Sequence, residues 1–174
     1  WLVLRRVVQE AGNGDIYGLK LGDTAVVPLL TSPAREWNPA VSPDGKWLAY
    51  SSDESGASEV YVRPFPDVGS AKWQVSLSGG NSPIWARNGR ELFYLNSRQE
   101  MVSVQVTPGP AFAVGEHKVL FPAAPFNVGG GYQLYDVTPD GKRFVMVRGA
   151  AATAETELVM VQNWFEELKA RTRK

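Results

Sequence analysis

Any chemistry in this 174-residue chain falls to carboxylates, amides, hydroxyls and one histidine, because cysteine is absent. Thiol catalysis, disulfides and thiolate-bound zinc or iron–sulfur centres are thereby excluded. His117 alone cannot build a multi-histidine metal centre within one chain. Oxygen chemistry remains. Glu36, Asn38 and Asp136 offer carboxylate and amide oxygens, the donors that a hard divalent cation such as calcium takes alongside waters. Trp37, Asn81, Ser82, Tyr132 and Gln133 extend this set into a binding surface of amide, hydroxyl and aromatic groups, provided that three distant segments meet.

The usual catalytic and nucleotide motifs are missing. No Gly-x-Ser-x-Gly elbow is present, and no kinase motif set. Both Gly-Lys pairs continue into Trp47 and Arg143 rather than into the Ser or Thr of a phosphate loop. Gly12-Asn13-Gly14-Asp15-Ile16-Tyr17-Gly18 misses the dinucleotide fingerprint by one position and lies between two predicted strands, so it reads as a hairpin loop. His117 has no Ser or Asp partner nearby in sequence and reads as a surface histidine. Eighteen basic and eighteen acidic residues cancel, which gives no electrostatic case for nucleic acid. No apolar run approaches the roughly 20 residues of a membrane-spanning helix. The opening Trp1-Leu2-Val3-Leu4 reads as mid-strand, so the start is expected to be a cut.

The elements that would position the candidate residues are short. Gly and Pro form a sixth of the chain. They punctuate β-branched and aromatic runs such as Trp47–Tyr50, Val60–Val62, Leu92–Leu95, Val102–Val106 and Phe144–Val147. Three segments repeat: Asn38–Tyr50, Ser82–Tyr94 and Leu134–Met146. Each has a strand, an Asp-Gly or Asn-Gly turn followed by a basic residue, and a second strand. Their glycines, Gly45, Gly89 and Gly141, stand 44 and 52 residues apart, the longer step absorbing a Pro/Gly-rich insert. A period of roughly 40–45 residues with four strands per unit is that of a β-propeller blade. Asp44, Asn88 and Asp140 then fall in separate turns, and Ser42 and Thr138 are expected to bond locally. Trp1, Trp37, Trp47, Trp73 and Trp85 are expected to pack between blades rather than to stack on carbohydrate.

These residues carry a family resemblance. Ser42-Pro43-Asp44-Gly45-Lys46 and Thr138-Pro139-Asp140-Gly141-Lys142, each leading into an apolar strand, resemble the TolB-like propeller repeat. Glu59–Pro66 and Asn163–Leu168 resemble segments in the C-terminal propellers of bacterial eukaryotic-like serine/threonine kinases. The resemblance spans essentially the whole chain and implies an extracytoplasmic setting, as part of a membrane-bound signalling kinase or as a periplasmic TolB-like protein. Six-bladed propeller lactonases and phosphotriesterases hold calcium in the channel with Asn, Asp and Glu, but their sequence motifs do not occur here.

The expected fold is therefore all-β, with about three and a half four-stranded antiparallel blades and a short C-terminal helix. Residues 1–31 form a partial blade of three strands, 37–77 and 81–121 are full blades, and 132–162 is a blade of three strands. The helix over 163–171 is capped by Asn163 and Glu166 and folds back through Trp164 and Phe165. Aligning the turns places Glu36, Trp37, Asn38, Asn81, Ser82, Tyr132, Gln133 and Asp136 at the channel mouth. The reading taken is a non-catalytic module that binds a protein or small ligand there. A homodimer, or the missing blades of a longer parent, would close the ring, with a four-bladed monomer as the rival. The alternative function is a metal-assisted hydrolase of esterase, lactonase or phosphotriesterase type, with its cation held by Glu36, Asn38 and Asp136.

Overall fold

The computed structural model describes residues 1–7, 14–107, 109, 112–126, 132–148 and 158–161. Every regular element among these residues is a β-strand. The helix expected over 163–171, with Trp164 and Phe165, lies outside them. No helix of the described residues is long and apolar enough to cross a membrane.

Fourteen strands form four antiparallel sheets whose spatial order follows the chain. The first contains β1 (Leu2–Val7), β2 (Gly14–Leu19) and β3 (Val26–Leu30). The second contains β4 (Glu36–Val41), β5 (Trp47–Ser52), β6 (Glu59–Pro64) and β7 (Trp73–Gln74). The third contains β8 (Asn81–Trp85), β9 (Glu91–Leu95), β10 (Glu100–Thr107) and β11 (Ala113–Pro122). The fourth contains β12 (Tyr135–Val137), β13 (Phe144–Val147) and β14 (Leu158–Val161). This is the all-β architecture of antiparallel blades that the repeat predicts.

The turns explain why the repeats fold locally. In the second sheet Ser42 Oγ donates to Asp44 Oδ1, Asp44 accepts from the Lys46 N–H, and Ser42 Oγ accepts from the Trp47 N–H. Thr138 and Asp140 make the same bonds in the fourth sheet. The third sheet has Ala86 in place of the hydroxyl residue and keeps only the Asn88 bond to the Arg90 N–H. All three glycines sit at φ of 66–70°, where a side chain is disfavoured.

Strand alternation then sends apolar side chains to both faces. Leu48, Tyr50, Tyr61 and Phe65 pack on Ile16 and Leu30 of the first sheet. From the opposite face, Trp47, Ala49, Val60 and Val62 meet Trp85, Leu92, Tyr94 and Val104 of the third. Phe93, Leu95, Met101 and Phe121 in turn meet Tyr135, Phe144 and Met146 of the fourth. Phe112 fills the middle seam, with its ring 4.9 Å from Trp47, 5.4 Å from Trp73 and 6.5 Å from Trp85. Trp1 meets Phe65 edge-on at 5.6 Å. These four tryptophans thus pack between sheets; Trp37 is half-buried at the start of β4.

Strand sense distinguishes the end sheets. A Cβ built on Gly14, the first residue of β2, would come within 2.9 Å of the backbone oxygen of Glu36, the first residue of β4. Both strands therefore begin at one end of the molecule, so β1 runs with the sense of β5, not of β4. The first sheet thus corresponds to the second, third and outer strands of a blade. Its inner place, beside β1, is without a strand among the described residues. In the fourth sheet the Thr138–Arg143 turn joins β12 to β13 as Ser42–Trp47 joins β4 to β5. There the outer place is without a strand among the described residues.

Phe112→Ala removes the ring at the centre of the Trp47–Trp73–Trp85 seam and is expected to cost about 3 kcal/mol or more in urea unfolding. Leu77→Ala, at a side chain 72% exposed, should shift stability by less than about 0.5 kcal/mol.

Candidate functional site

The inner strands β4 and β8 are both broken at the same repeat position. Asn38 has φ of 51° and Ser82 has φ of 54°, each immediately followed by proline. Strand pairing slips there, between Trp37 and Ala40 in β4 and between Asn81 and Ile84 in β8. A bulge suits an inner strand, because only one of its edges is paired and a Pro without an N–H costs the ladder little. The two bulges are coupled: Asn38 Nδ2 donates to Ser82 Oγ at 2.7 Å, in a buried setting. Ser51 Oγ accepts from the Ser82 N–H at 3.1 Å, and Tyr135 Oη donates to the Ser82 carbonyl. One polar chain thus links the second, third and fourth sheets. Burial raises the pKa of Tyr135 well above the usual phenol range, which keeps it a donor.

Beside these bulges lies a cleft of about 380 Å³. Asn38, Pro39 and Ala40 of β4 form one wall, and Pro83 and Ile84 of β8 the next. Val3 and Arg5 of β1 close one side, with Tyr132 and Gln133, ahead of β12, on the other. The walls are mostly apolar with a few polar groups, the composition of a small-ligand or peptide site, and the volume lies within the usual range.

Glu36 sits next to this cleft rather than in its walls. It is only 3% exposed; Ser32 Oγ donates to its Oε1, and Oε2 is buried without a hydrogen-bond partner among the described residues. Burial raises its pKa; the Ser32 bond opposes this, while Asp15, Glu54 and Asp53 add to the rise.

The residues expected at one mouth are thus distributed over several settings. Asn38 and Ser82 meet directly, and Tyr132 (73% exposed) and Gln133 share the cleft with Asn38. Asn81 is half-buried at the start of β8. Asp136 lies two sheets from Glu36, exposed in a shallow depression with Val145 and Val147 that shares Ile84 and Gln133 with the cleft, and its Oδ1 accepts the Val137 N–H. Of the set Glu36, Asn38 and Asp136, the bulge turns the Asn38 amide to Ser82, and alternation along β12 leaves Asp136 exposed. Among the described residues no three His, Asp or Glu side chains are grouped to hold a metal ion. His117 also differs from a plain surface histidine: it is half-buried, with Nε2 2.8 Å from the Val75 carbonyl. Turn alignment missed Val3, Arg5, Pro39, Ala40, Pro83 and Ile84. The Asn-Pro and Ser-Pro pairs at equal repeat positions were the available signal for the bulges.

Neither a family model nor a curated protein matches the sequence. Solved structures match the fold. A structure assigned to TolB from Agrobacterium tumefaciens aligns with a TM-score of 0.64 at 15% identity, covering 93% of this chain and 57% of that one. TolB from Acinetobacter baumannii aligns at 0.50 and 14%, covering 92% and 49%. Oligogalacturonate lyase from Vibrio parahaemolyticus aligns at 0.52 and 12%, covering 88% and 39%. The chain is similar to TolB and other propeller proteins in fold, and it spans between two-fifths and three-fifths of their length.

Two outcomes follow for the site. A raised carboxyl pKa means that folded protein holds the Glu36 proton more tightly than unfolded chain does, so ionisation costs stability as pH rises above the usual carboxylate range. Glu36→Gln is expected to be more stable than the parent in urea at pH 7, with the gap closing near about pH 4; a less stable variant at pH 7 would contradict the account. Asn38→Val, forcing a β-branched residue into positive φ and deleting the Ser82 bond, should cost about 2 kcal/mol or more, and Asn38→Gly about 1 kcal/mol, by the same measurement.

Proposed function

We propose that this chain is a non-catalytic propeller module that binds a protein or small ligand in the cleft beside its inner strands. The observation that carries this reading is the concave surface itself: a largely apolar cleft with Asn38, Arg5 and Gln133 as its polar points. Glu36 and Asn38 stand on β4 and Asp136 on β12, and the hydrolytic alternative is the second outcome of the test below. The resemblance to TolB-like repeats and to kinase C-terminal propellers supports an extracytoplasmic setting, with a TolB-like protein or a signalling kinase as parent. Ring closure by two copies is part of the proposal, supported by the apolar side chains left open at the first sheet, where Leu2 and Leu4 are 49% and 38% exposed.

Light scattering after size exclusion tests closure: twice 19.1 kDa is expected, and a single-chain mass at micromolar concentration would overturn the dimer. Function is tested with p-nitrophenyl acetate and a lactone, with and without added calcium. The parent, Glu36→Gln and Asp136→Asn should be indistinguishable from buffer. Turnover in the parent that either variant lowers by a hundredfold would replace the binding reading with the hydrolytic one.

A further inference from the structure

The turns over 42–46, 86–90 and 138–142 carry charges that neither the fold nor the cleft uses. Each follows its glycine with a basic residue, Lys46, Arg90 and Lys142, and all three are exposed. Arg87 is exposed beside them, and Arg143 is half-buried. The turns adjoin at one end of the molecule. Pro43 Cδ lies 3.8 Å from a Cβ built on Gly89, and Ala86 is buried in one cluster with Val137, the residue before Thr138.

The acids of these turns do not offset the bases evenly. Asp44 stands two residues before Lys46 and Asp140 two before Lys142, and each accepts the N–H of its lysine. The Thr138 and Lys142 bonds, with Arg143 and Lys142 close by, hold the Asp140 carboxyl below its usual range. The third sheet has Asn88 at that position, so Arg87 and Arg90 bracket it with no acid between them. Glu91, the next residue, is half-buried and accepts from Ser103 Oγ. Neither Arg87 nor Arg90 is in an ion pair with a described residue, unlike Lys72 with Glu54 and Arg98 with Glu100. Their turn is held by the Gly89 N–H to the Ala86 carbonyl at 2.9 Å and by the Arg90 N–H to Asn88 Oδ1 at 2.8 Å. Two guanidinium groups on one fixed turn suit carboxylates, because each planar fork donates twice to one.

The geometry points to this turn face as a docking surface for an acidic segment of a partner polypeptide. Arg87 and Arg90 hold its carboxylates, and Lys46 of the adjoining turn adds a third positive point. The number of charges selects the partner. A nucleic-acid track neutralises roughly 6–10 phosphates, and an anionic membrane attracts clusters of roughly 4–8 basic residues. Here the five bases are interleaved with Asp44 and Asp140, and the small positive excess centres on one turn, which fits a short run of Glu or Asp.

A fluorescein-labelled hexaglutamate peptide serves as the probe, titrated with the protein and followed by fluorescence anisotropy. Binding is expected in about 20 mM NaCl and should be at least fivefold weaker in about 200 mM, where exposed charges are screened. Arg87→Gln combined with Arg90→Gln should weaken it at least tenfold. Asn88→Asp, which gives the third sheet the acid of its neighbours, should weaken it at least twofold. Arg98→Gln, in the turn at the other end of β9, should stay within twofold of the parent. All of these changes lie on exposed turns, so the variants should keep the parent's urea midpoint. No binding in the low-salt buffer overturns the inference. So does an equal loss in Arg98→Gln, which would mean diffuse attraction without a site. Vesicles of phosphatidylserine and phosphatidylcholine in equal parts give the last arm. If they pellet the parent but not the double arginine variant, while hexaglutamate fails to bind, a lipid surface replaces the acidic segment.

Discussion

Everything in this molecule depends on the requirement that a sheet with apolar side chains on both faces be covered on both sides. Leu48 and Tyr50 point one way from β5, Trp47 and Ala49 the other, and all four are buried. A single blade of this composition would expose a broad apolar face, so each is stable only between neighbours. Phe112 shows how the seam is filled. It reaches from the third sheet into a space bounded by Trp47, Trp73 and Trp85, and the Trp85 indole N–H is satisfied by the Ala40 carbonyl across the same seam. The covering rule runs out at the two end sheets, where Leu2 and Leu4 stand open on one and Val145 and Val147 are half-covered on the other.

The inner strands follow a second constraint. Each must narrow towards the axis while one edge stays unpaired. Asn38-Pro39 and Ser82-Pro83 solve this with one bulge apiece, and the Asn38–Ser82 hydrogen bond joins the two solutions. The bond is buried and its donor and acceptor come from separate sheets, so it ties the two bulges together beside the cleft. The proline rings that face the cleft are there because the bulges turn them inwards. Binding surface and blade geometry are consequently the same feature, and a ligand in the cleft would sense any change in how the second and third sheets meet.

Buried polar groups outside the cleft serve the fold. Glu59 accepts from Ser76 Oγ and from the Gly79 N–H, so it ties down the crossing from the second sheet to the third. His117 reaches the Val75 carbonyl from β11 and fastens the same crossing from the outside. Glu36 differs from both, because one of its oxygens has no partner among the described residues, and burial together with its acidic neighbours resists its ionisation. A carboxylate with both oxygens bonded and one with a single bonded oxygen thus begin the first and third strands of the same sheet.

How much was legible in the chain follows from the range of each interaction. The Asp-Gly and Asn-Gly turns at Gly45, Gly89 and Gly141 are local, so their hydroxyl and carboxylate bonds could be read from five consecutive residues. The unbroken apolar runs of 47 to 50 and of 92 to 95 read as strands buried on both faces, and the repeat period pointed to the blade. The site was less legible. Whether Glu36, Asn38 and Asp136 converge depends on a bulge that redirects one side chain and on which face of β12 looks at the axis. Those are properties of three sheets packed together. Repeat spacing specifies which residues occupy equivalent strand positions. Only the packed sheets decide where their side chains point, because a single left-handed residue moves everything after it to the other face.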